Sequence, residues 1–248
     1  MTVGVVGDDV ESLAGVVAET GVDVETAISD PVPGAAYHVA VGESAVLSLL
    51  RAGVDTPVLP VEAGDGLGST PAEALADTIS DVGSDPGRTD QVSTLSVSIG
   101  EESHRALMDV MVVSTEAAKI SEYEVRTREG SGPDRETVTI DRVRADGIVA
   151  ATPVGTTGYS SSAGGPVVAR DIQGVSVVPV GPFRVEHPQW VLGLPVTLAV
   201  LREEVPVSLV VDDREIARVK RDTPVTLSSG PPLEVIRTAE SRSIAAYY

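Results

Sequence analysis

The sequence predicts a two-part fold, an N-terminal Rossmann-like α/β domain followed by an all-β, sandwich-like domain. In the first part, short apolar runs alternate with stretches whose apolar residues recur at helical spacing, which favours parallel strands joined by helices. From Thr94 onward, many short strand-like runs separated by turn residues are typical of a β-sandwich. We therefore expect an α/β domain over residues 1–92 and a β-rich domain over residues 93–232.

The elements of the first part follow from local patterns. A strand is predicted at Val3 to Val6, and the apolar spacing after it predicts a helix from Asp9 to Glu19. The run Thr70-Pro71-Ala72-Glu73 combines an N-cap, a first-turn proline and a glutamate three residues on, which predicts a helix from Ala72 to Val82. The other expected elements are strands at His38 to Val41 and Pro57 to Val61, and a helix from Ala45 to Arg51.

The second part is predicted from turns and short apolar runs. The segment SDPGRTD after Gly83 is rich in turn residues and predicts the hinge between the two parts. The strands expected after it are Leu95 to Ile99, Leu107 to Ser114, Tyr123 to Arg128, Thr137 to Ile140, Ile148 to Ala151, Val175 to Val180, Val196 to Leu201, Val207 to Val211 and Val225 to Leu227.

The charge balance excludes one class of partner. The chain has 37 acidic against 18 basic residues, for a formal net charge of −19. Nucleic acid is not expected as a partner, because its phosphates need a basic footprint. With only Lys119 and Lys220 as lysines, the composition favours adaptation to high salt, which screens self-repulsion, and a haloarchaeal source. The alternative is an acidic mesophilic enzyme.

Missing residue types narrow the chemistry and the compartment. The chain has no cysteine, so disulfides and thiolate metal sites are unavailable. It has no 18-residue apolar run, and its first residues lack the basic start and apolar centre of a secretory signal. We expect no membrane partner and a cytoplasmic location. His38, His104 and His187 are too dispersed for zinc, so no metal-ligating residue is predicted.

The stretch from Asp146 to Val168, DGIVAATPVGTTGYSSSAGGPVV, carries the strongest functional signal. Ile148 to Ala151 suits a strand, and Thr152-Pro153 ends it. The following loop combines glycines, which admit close approach to the main chain, with hydroxyls that both donate and accept hydrogen bonds. Tyr159 adds a flat ring against which an adenine or a ribose can lie. The alternative is a glycine-rich turn between two strands.

The order of these residues resembles the signature of the NAD kinase family, Asp-Gly followed by Thr-Pro-x-Gly-Ser-Thr-Ala-Tyr-Ser-x-Ser-Ala-Gly-Gly-Pro. The match runs to Pro166, with Thr156 and Gly158 as small replacements. This family phosphorylates the 2′-hydroxyl of the adenosine ribose of NAD. The resemblance implies ATP and NAD as substrates and Mg²⁺ or another divalent cation as cofactor. It implies NAD-binding roles for Thr157, Gly158, Tyr159, Ser160 and Ser162.

The resemblance also bears on architecture and assembly. It implies an NAD kinase-like two-domain fold, small-molecule nucleotides as partners, and a homo-oligomer, either a dimer or a tetramer. In the family the final segment often returns to the first domain. Here residues 233–248 are expected to do so, through Leu233 to Ala246.

A Gly-Gly-Asp-Gly-Thr loop follows an early strand in the family, and its aspartate takes the ribose proton. The matching place here is Val41-Gly42-Glu43-Ser44-Ala45, so Glu43 is the candidate catalytic base, and Gly42 and Ser44 are candidate phosphate-binding residues. A longer carboxylate can still accept a proton, but a misplacement of about 1 Å can cost roughly a hundredfold in rate. The alternative is an ordinary strand-to-helix turn in which the helix dipole stabilises Glu43.

A second phosphate loop is predicted in EAGDGLGS, residues 62–69, which resembles the family loop Asn-x-Gly-x-Leu-Gly-Phe. Its candidate phosphate-binding residues are Gly64, Asp65 and Gly66. Asp65 would place a carboxylate near the same phosphates. A plain surface turn is the alternative.

Further NAD-binding candidates come from the same resemblance. Met108-Asp109 stands where the family has Asn-Glu or Asn-Asp, so Asp109 keeps an acceptor for ribose hydroxyls. Met108 cannot replace an amide, a loss of about 1 to 3 kcal/mol in a buried site, which leaves a substrate other than NAD open. Arg144 and Asp146 match a cation and an acceptor. The alternatives are an exposed strand edge for Asp109 and a surface ion pair for the other two.

Three functions are compatible with these residues. The first is a phosphotransferase of the NAD kinase type. The second is a catalytically impaired or altered-substrate homologue that acts as an NAD(P)-binding or nucleotide-binding module. The third is a serine hydrolase using Ser44, because strand, Gly42-Glu43-Ser44 and helix resemble a nucleophile elbow, although Val46 breaks the G-x-S-x-G pattern. Late in the chain, Val211-Asp212-Asp213-Arg214 weakly resembles the family's Val-Asp-Gly-Gln.

Overall fold

The structure is a computed structural model that describes residues 1–8, 10–83, 89–116, 119–130, 135–221, 223–239 and 241. The chain forms two units. The first contains residues 1–92 together with Pro232 and the described residues after it, and the second contains residues 93–231. The elements are, in chain order, β1 (Thr2–Val6), α1 (Glu11–Glu19), β2 (Asp23–Ala27), β3 (His38–Val41), α2 (Glu43–Arg51), β4 (Val58–Val61), α3 (Leu75–Val82), β5 (Thr89–Val92), β6 (Leu95–Ile99), β7 (Glu102–Ala106), β8 (Asp109–Ser114), β9 (Ser121–Glu129), β10 (Glu136–Ala145), β11 (Gly147–Ala151), α4 (Tyr159–Ser162), β12 (Val175–Val180), β13 (Trp190–Leu192), β14 (Val196–Arg202), β15 (Val207–Val211), β16 (Arg214–Val219), β17 (Val225–Ser229) and β18 (Leu233–Ile236).

The first unit has one six-stranded sheet in the order β2-β1-β3-β4-β18-β5. All its strand pairs are parallel except β18 with β5. Val5, Val39 and Leu59 from the strands pack with Leu75 and Ile79 of α3 in its core. Since the chain places β2 on one side of β1 and β3 on the other, a topological switch point lies between β1 and β3. Ligands of open α/β sheets bind beyond the carboxyl ends of the strands at such a point.

Two helices of the first unit begin elsewhere than predicted. α2 begins at Glu43 rather than Ala45, directly after Gly42. α3 begins at Leu75, because Ala72–Ala74 form a 3₁₀ turn. Thr70 is not a helix cap: it is buried, and the Ala72 N–H instead donates to Glu62 Oε1 at 2.8 Å. For α1, the predicted start at Asp9 lies outside the described residues.

The second unit contains two six-stranded sheets, in the orders β10-β9-β14-β17-β6-β7 and β13-β12-β11-β8-β15-β16. All strand pairs within them are antiparallel. Apolar side chains from both sheets share one buried core, which includes Val97, Tyr123, Ile148, Leu198 and Leu209. The predicted fold class, an α/β part followed by a β-sandwich part, is therefore confirmed.

The strands missed by the sequence patterns are β2, β5, β7, β13, β16 and β18, although the return of residues 233–248 to the first part was expected. β10 was predicted over only four of its ten residues. The segment predicted as a glycine-rich loop after Thr152-Pro153 contains the short helix α4. The hinge segment falls partly outside the described residues, and its end belongs to β5. Within the described ranges, no helix has the length and apolar character needed to cross a membrane.

Candidate functional site

The loop after β3 begins with a glycine that the backbone requires. Gly42 has φ +82° and ψ +160°, and its N–H donates to the Val61 carbonyl at 2.8 Å, which ties the ends of β3 and β4 together. Glu43 and Ser44 follow as the first two residues of α2, and both are exposed. The Glu43 carboxylate therefore lies at the positive end of the α2 dipole.

The loop after β1 reaches the same edge of the sheet and was missed in the sequence. Gly7 has φ +146°, and a Cβ there would lie 2.7 Å from the Val41 carbonyl oxygen. Glycine thus lets this loop pack against the end of β3, at the switch point. Asp8, which follows, is exposed. The signal was a Gly-Asp pair directly after the first apolar strand.

The loop of residues 62–69 is partly buried and held by hydrogen bonds, unlike a plain surface turn. The Ser69 hydroxyl accepts from the Ala63 N–H at 2.7 Å and donates to the Pro60 carbonyl at 3.3 Å. Gly64 is exposed with φ +87°, Asp65 is half-buried at the start of a 3₁₀ turn, and Gly66 is buried. Only Gly64 and Asp65 of the three predicted phosphate ligands therefore have accessible surface.

Arg237, just after β18, holds the far side of this loop. Its Nη1 donates to the carbonyls of Leu67 and Gly68, and its Nε lies 3.1 Å from Asp90 Oδ2. Burial lowers the pKa of Arg237, while the Asp90 carboxylate opposes that shift. Arg237, directly after the last strand of the described residues, thus fixes a loop residue 170 positions earlier in the sequence.

In the second unit, β11 leads into a 3₁₀ turn and the four-residue helix α4, which together with the chain to Gly165 we call the cradle (residues 152–165). A Cβ at Gly155 would lie 2.0 Å from the Met108 carbonyl oxygen, and one at Gly165 would lie 2.4 Å from Ser160 Oγ. Neither position has room for a side chain. The cradle glycines therefore allow backbone segments to pack directly on one another.

The hydroxyls of the cradle divide into two groups. Those of Thr152, Thr156 and Ser160 are buried and hold the cradle itself: Thr156 Oγ1 donates to the Pro153 carbonyl at 2.8 Å, and Ser160 Oγ lies 3.3 Å from Ser176 Oγ. Ser160 was predicted to bind NAD, but its hydroxyl is used inside the fold. The predicted ligands with accessible surface are Thr157, Gly158, Tyr159 and Ser162, with Tyr159 48% exposed.

Asp109, another predicted ligand, lies at the end of β8 that is next to the cradle. It is the first residue of β8 and pairs with Ala151, the last residue of β11, so its backbone lies beside the start of the cradle. The Asp109 side chain is 8% exposed. Asp212, between β15 and β16, accepts the N–H groups of residues 107–109 with its carboxylate. Sequence reasoning had only a weak family match for Asp212.

Arg144 and Asp146 lie at the opposite end of β11 from the cradle. β11 has five residues, and a strand rises about 3.3 Å per residue, so about 15 Å separates the two ends. Asp146 Oδ2 lies close to the Cα of Gly181, where a Cβ would be 2.7 Å away. The Arg144 guanidinium lies 5.6 Å from the centre of the Phe183 ring. The structure therefore does not bring these two predicted ligands together with Thr157 to Ser162.

The geometry does not favour a serine hydrolase. A nucleophile elbow holds its serine on a strained turn between strand and helix. Ser44 instead lies within α2, and in the described part of the chain the non-glycine residues with positive φ are Glu62 and Asp212.

The fold and the cradle define a two-unit class of protein, an α/β sheet joined to a β-sandwich that carries a glycine-rich, hydroxylated cradle, and solved structures share its fold. The chain matches an NAD kinase from Archaeoglobus fulgidus in complex with ATP, with a TM-score of 0.80 and 22% identity, over 99% of this chain and 98% of that one. It matches a yeast NADH kinase complexed with NADH, with a TM-score of 0.77 and 16% identity, over 99% and 85%.

Sequence comparisons, like the structural ones, find similarity to NAD kinases. Residues 132–237 match the model of the ATP-NAD kinase C-terminal domain. An NAD kinase of Methanosarcina mazei is 30% identical over 145 residues, 57% of this chain and 47% of the relative. The chain thus spans about half the length of the curated relatives it matches. The residues that match this family model include the cradle, whose sequence carries the resemblance to the NAD kinase family.

Proposed function

We propose that this protein transfers the γ-phosphoryl group of ATP to the 2′-hydroxyl of the adenosine ribose of NAD, giving NADP and ADP. The ribose oxygen attacks the γ-phosphorus, the bond to the ADP oxygen breaks, and the ribose proton passes to a base. The observation that carries this proposal is the cradle. Gly155 and Gly165 lack room for any side chain, while Thr157, Gly158, Tyr159 and Ser162 present hydroxyl, backbone and ring surface for a nucleotide.

The donor phosphates are proposed to lie at the switch point of the first unit. The loops of residues 7–10, 42–45 and 62–69 contain no lysine or arginine. Phosphate charge there would be met by backbone N–H groups, such as those at the start of α2, and by a divalent cation.

Mg²⁺ usually binds through one or two carboxylates together with the substrate phosphates, and keeps several waters. Among the described residues, no group of three or more acidic, histidine or cysteine side chains could hold a metal alone. Asp65, on the second predicted phosphate loop, is the protein carboxylate proposed to complete such a site. Once bound, the cation would neutralise the charge of the phosphates.

Glu43 is proposed as the base that takes the 2′-hydroxyl proton. It is exposed on the first turn of α2, at the position of the family aspartate. The longer side chain is compatible with this role because phosphoryl transfer depends mainly on the positioning and electrostatic stabilisation of the transferred group, and less on the base.

The acceptor is proposed to contact Asp109, Thr157, Gly158, Tyr159 and Ser162. Arg144 and Asp146 remain proposed NAD ligands, and their place at the other end of β11 means that they would contact a different part of an extended dinucleotide.

The test is NADP formation by purified protein in molar KCl with NAD, ATP and Mg²⁺. Glu43→Ala is expected to lower kcat about 10² to 10⁴-fold, the usual contribution of a general base. Asp146→Ala is expected to raise the KM for NAD. Glu11→Ala is the matched control, since Glu11 is also exposed and is the first residue of α1. Equal activity of Glu43→Ala and the wild type would remove Glu43 from the mechanism.

A second candidate is a nucleotide-binding module that has lost turnover or changed substrate. Glu43 in place of the family aspartate and Met108 in place of its asparagine favour it. Calorimetry separates the two candidates: NAD or NADP binding without turnover supports the module, and turnover overturns it.

A further inference from the structure

Residues 107–109 run from the end of β7 into β8, and all of their backbone N–H and carbonyl groups have hydrogen-bond partners. Their three N–H groups all donate to the Asp212 carboxylate, at 2.7 to 3.2 Å. The Leu107 carbonyl accepts the Thr152 hydroxyl, and the Met108 carbonyl accepts the Thr152 N–H at 2.9 Å. The Asp109 carbonyl accepts the Asp212 N–H at 2.9 Å. All six backbone polar groups of the segment are thus satisfied by two residues.

Asp212 occupies a backbone conformation that side chains usually avoid. Its φ is +52°, and left-handed conformations at non-glycine residues cost roughly 1 kcal/mol or more. Aspartate and asparagine tolerate this region best. Burial raises the pKa of Asp212 against the opposing effect of its three backbone hydrogen bonds, and the charge of Asp213 adds to the rise. The fold therefore holds a half-buried carboxylate in a strained turn where it accepts hydrogen bonds from the 107–109 backbone.

The other partner, Thr152, joins this segment to the cradle. Thr152 Oγ1 accepts from the Gly155 N–H at 3.3 Å, and Gly155 packs directly against the Met108 carbonyl. Asp212, residues 107–109 and the cradle therefore form one hydrogen-bonded network within the second unit.

We propose that Asp212 is a positioning residue of the acceptor nucleotide site, which sets the place of Asp109 beside the cradle. The proposal rests on the proposed function, because Asp109 matters for catalysis only if it contacts the acceptor ribose. Since the network lies within the second unit, its loss should raise the KM for NAD more than the KM for ATP.

The decisive variant is Asp212→Asn. Asparagine keeps the size of the side chain and tolerates the positive φ. Its amide oxygen can replace Oδ1, which accepts all three N–H groups, but its NH₂ group then replaces Oδ2 and faces the Leu107 N–H, donor against donor. Asp213→Asn is the control, because it removes the same charge from the same turn without touching the segment's hydrogen bonds. Asp212→Ala deletes all three interactions.

Three measurements on the full chain test the proposal: amide hydrogen exchange at residues 107–109, the Kd for NAD by calorimetry, and the KM values for NAD and ATP. In Asp212→Asn we expect faster exchange at these amides and a rise of about tenfold or more in the Kd and KM for NAD. The KM for ATP should change less than about twofold, within the scatter of surface substitutions. Asp213→Asn should match the wild type.

Other outcomes would contradict either the positioning role of Asp212 or the proposed function. Faster exchange at residues 107–109 with unchanged NAD affinity would make the network structural only. Equal losses in Asp212→Asn and Asp213→Asn would make the effect one of charge. If the wild type binds neither NAD nor NADP, the proposed function fails and the role of Asp212 fails with it, before any variant is compared. If Asp212→Ala does not fold, Asp212→Asn alone decides.

Discussion

Glycine serves different purposes in the cradle and in the phosphate loops. At Gly155 and Gly165 an added Cβ would lie 2.0 and 2.4 Å from neighbouring atoms. At Gly42 and Gly64 no described heavy atom lies within 4 Å of such a Cβ, and glycine instead provides φ values of +82° and +87°. Lack of space thus requires glycine at positions 155 and 165, whereas the backbone torsion requires it at positions 42 and 64.

This difference accounts for where the chain keeps the family pattern. In the cradle, Gly155, Gly165 and the buried hydroxyls each contact another part of the second unit, so one substitution there disturbs several partners. In the loop after β3, Gly42 provides a backbone turn and leaves the next side chain exposed. Glu43 can therefore replace the family aspartate without disturbing the fold.

Gly155→Ala should have the largest effect, because it places a methyl group on a backbone carbonyl that cannot move aside. We expect a loss of more than about 3 kcal/mol from the free energy of unfolding, or no folded second unit. Denaturant unfolding followed by fluorescence of Trp190, the single tryptophan, reports on this unit. Gly193→Ala, which meets open space without positive φ, should cost less than about 1 kcal/mol. Equal losses would contradict a steric role for Gly155.

Gly42→Ala should have a smaller effect on the first unit, because it imposes torsional strain alone. Its conformation belongs to a region used almost only by glycine, so we expect a loss of about 1 to 3 kcal/mol. Hydrogen exchange of the β1 and β3 amides measures it. Gly15→Ala within α1, also in open space, should instead stabilise by up to about 1 kcal/mol.

Arg237→Met keeps most of the packing of the arginine stem but removes its donors to the loop of residues 62–69. Two carbonyls lose their partner, and we expect a loss of about 1 to 2 kcal/mol with faster exchange in the loop. Asp90→Asn removes only a carboxylate that is half exposed, so it should cost less than about 1 kcal/mol. A larger effect of Asp90→Asn would show that the ion pair, not the carbonyl contacts, holds Arg237.

Acidification should weaken the first unit through His38, at the start of β3. Its Nε2 accepts the Val32 N–H at 2.9 Å, so Nδ1 carries the proton and faces Thr56 Oγ1. Burial lowers the pKa of His38, against the charge of Asp55. The unfolded chain then binds the proton more readily, so this stability is present above about pH 6.5 and falls as the pH drops below it.

Exchange rates of the first unit at pH 7.5 and 5.5 measure this dependence on His38. His38→Gln should flatten it, whereas His104→Gln, in the second unit, should leave it unchanged.

Five of the six strands that sequence patterns missed share one position, and the sixth, β18, is an inner strand of only four residues. β2, β5, β7, β13 and β16 are edge strands of their sheets, and β10, predicted only in part, is the remaining edge. An edge strand has one neighbour and much exposed surface, so it needs no apolar run. In β2, DVETA, no residue is fully buried, whereas every residue of β4 is. Apolar periodicity reports burial, and it therefore identified the inner strands of the sheets better than the edge strands.

The candidate site was predictable where its residues are adjacent in sequence. The cradle could be recognised because its contacts run over a few residues, from Thr152 to Gly165. The network around Asp212 could not, because residues 107–109 lie about a hundred positions away and meet Asp212 only through the β8–β15 pairing. The burial of the Ser160 hydroxyl could not be predicted from the sequence either, because its partner, Ser176, belongs to another strand.

The place of β18 has a consequence for how the chain matures. It lies between β4 and β5, yet it is made only after the whole second unit. Domains fold as units while the ribosome is still at work. Residues 93–231 are continuous in sequence and can fold as they leave the ribosome. At that stage β4 and β5 still lack the partner between them, because β18 has not yet been synthesised. The first unit, which begins before the second in the sequence, is therefore completed after it.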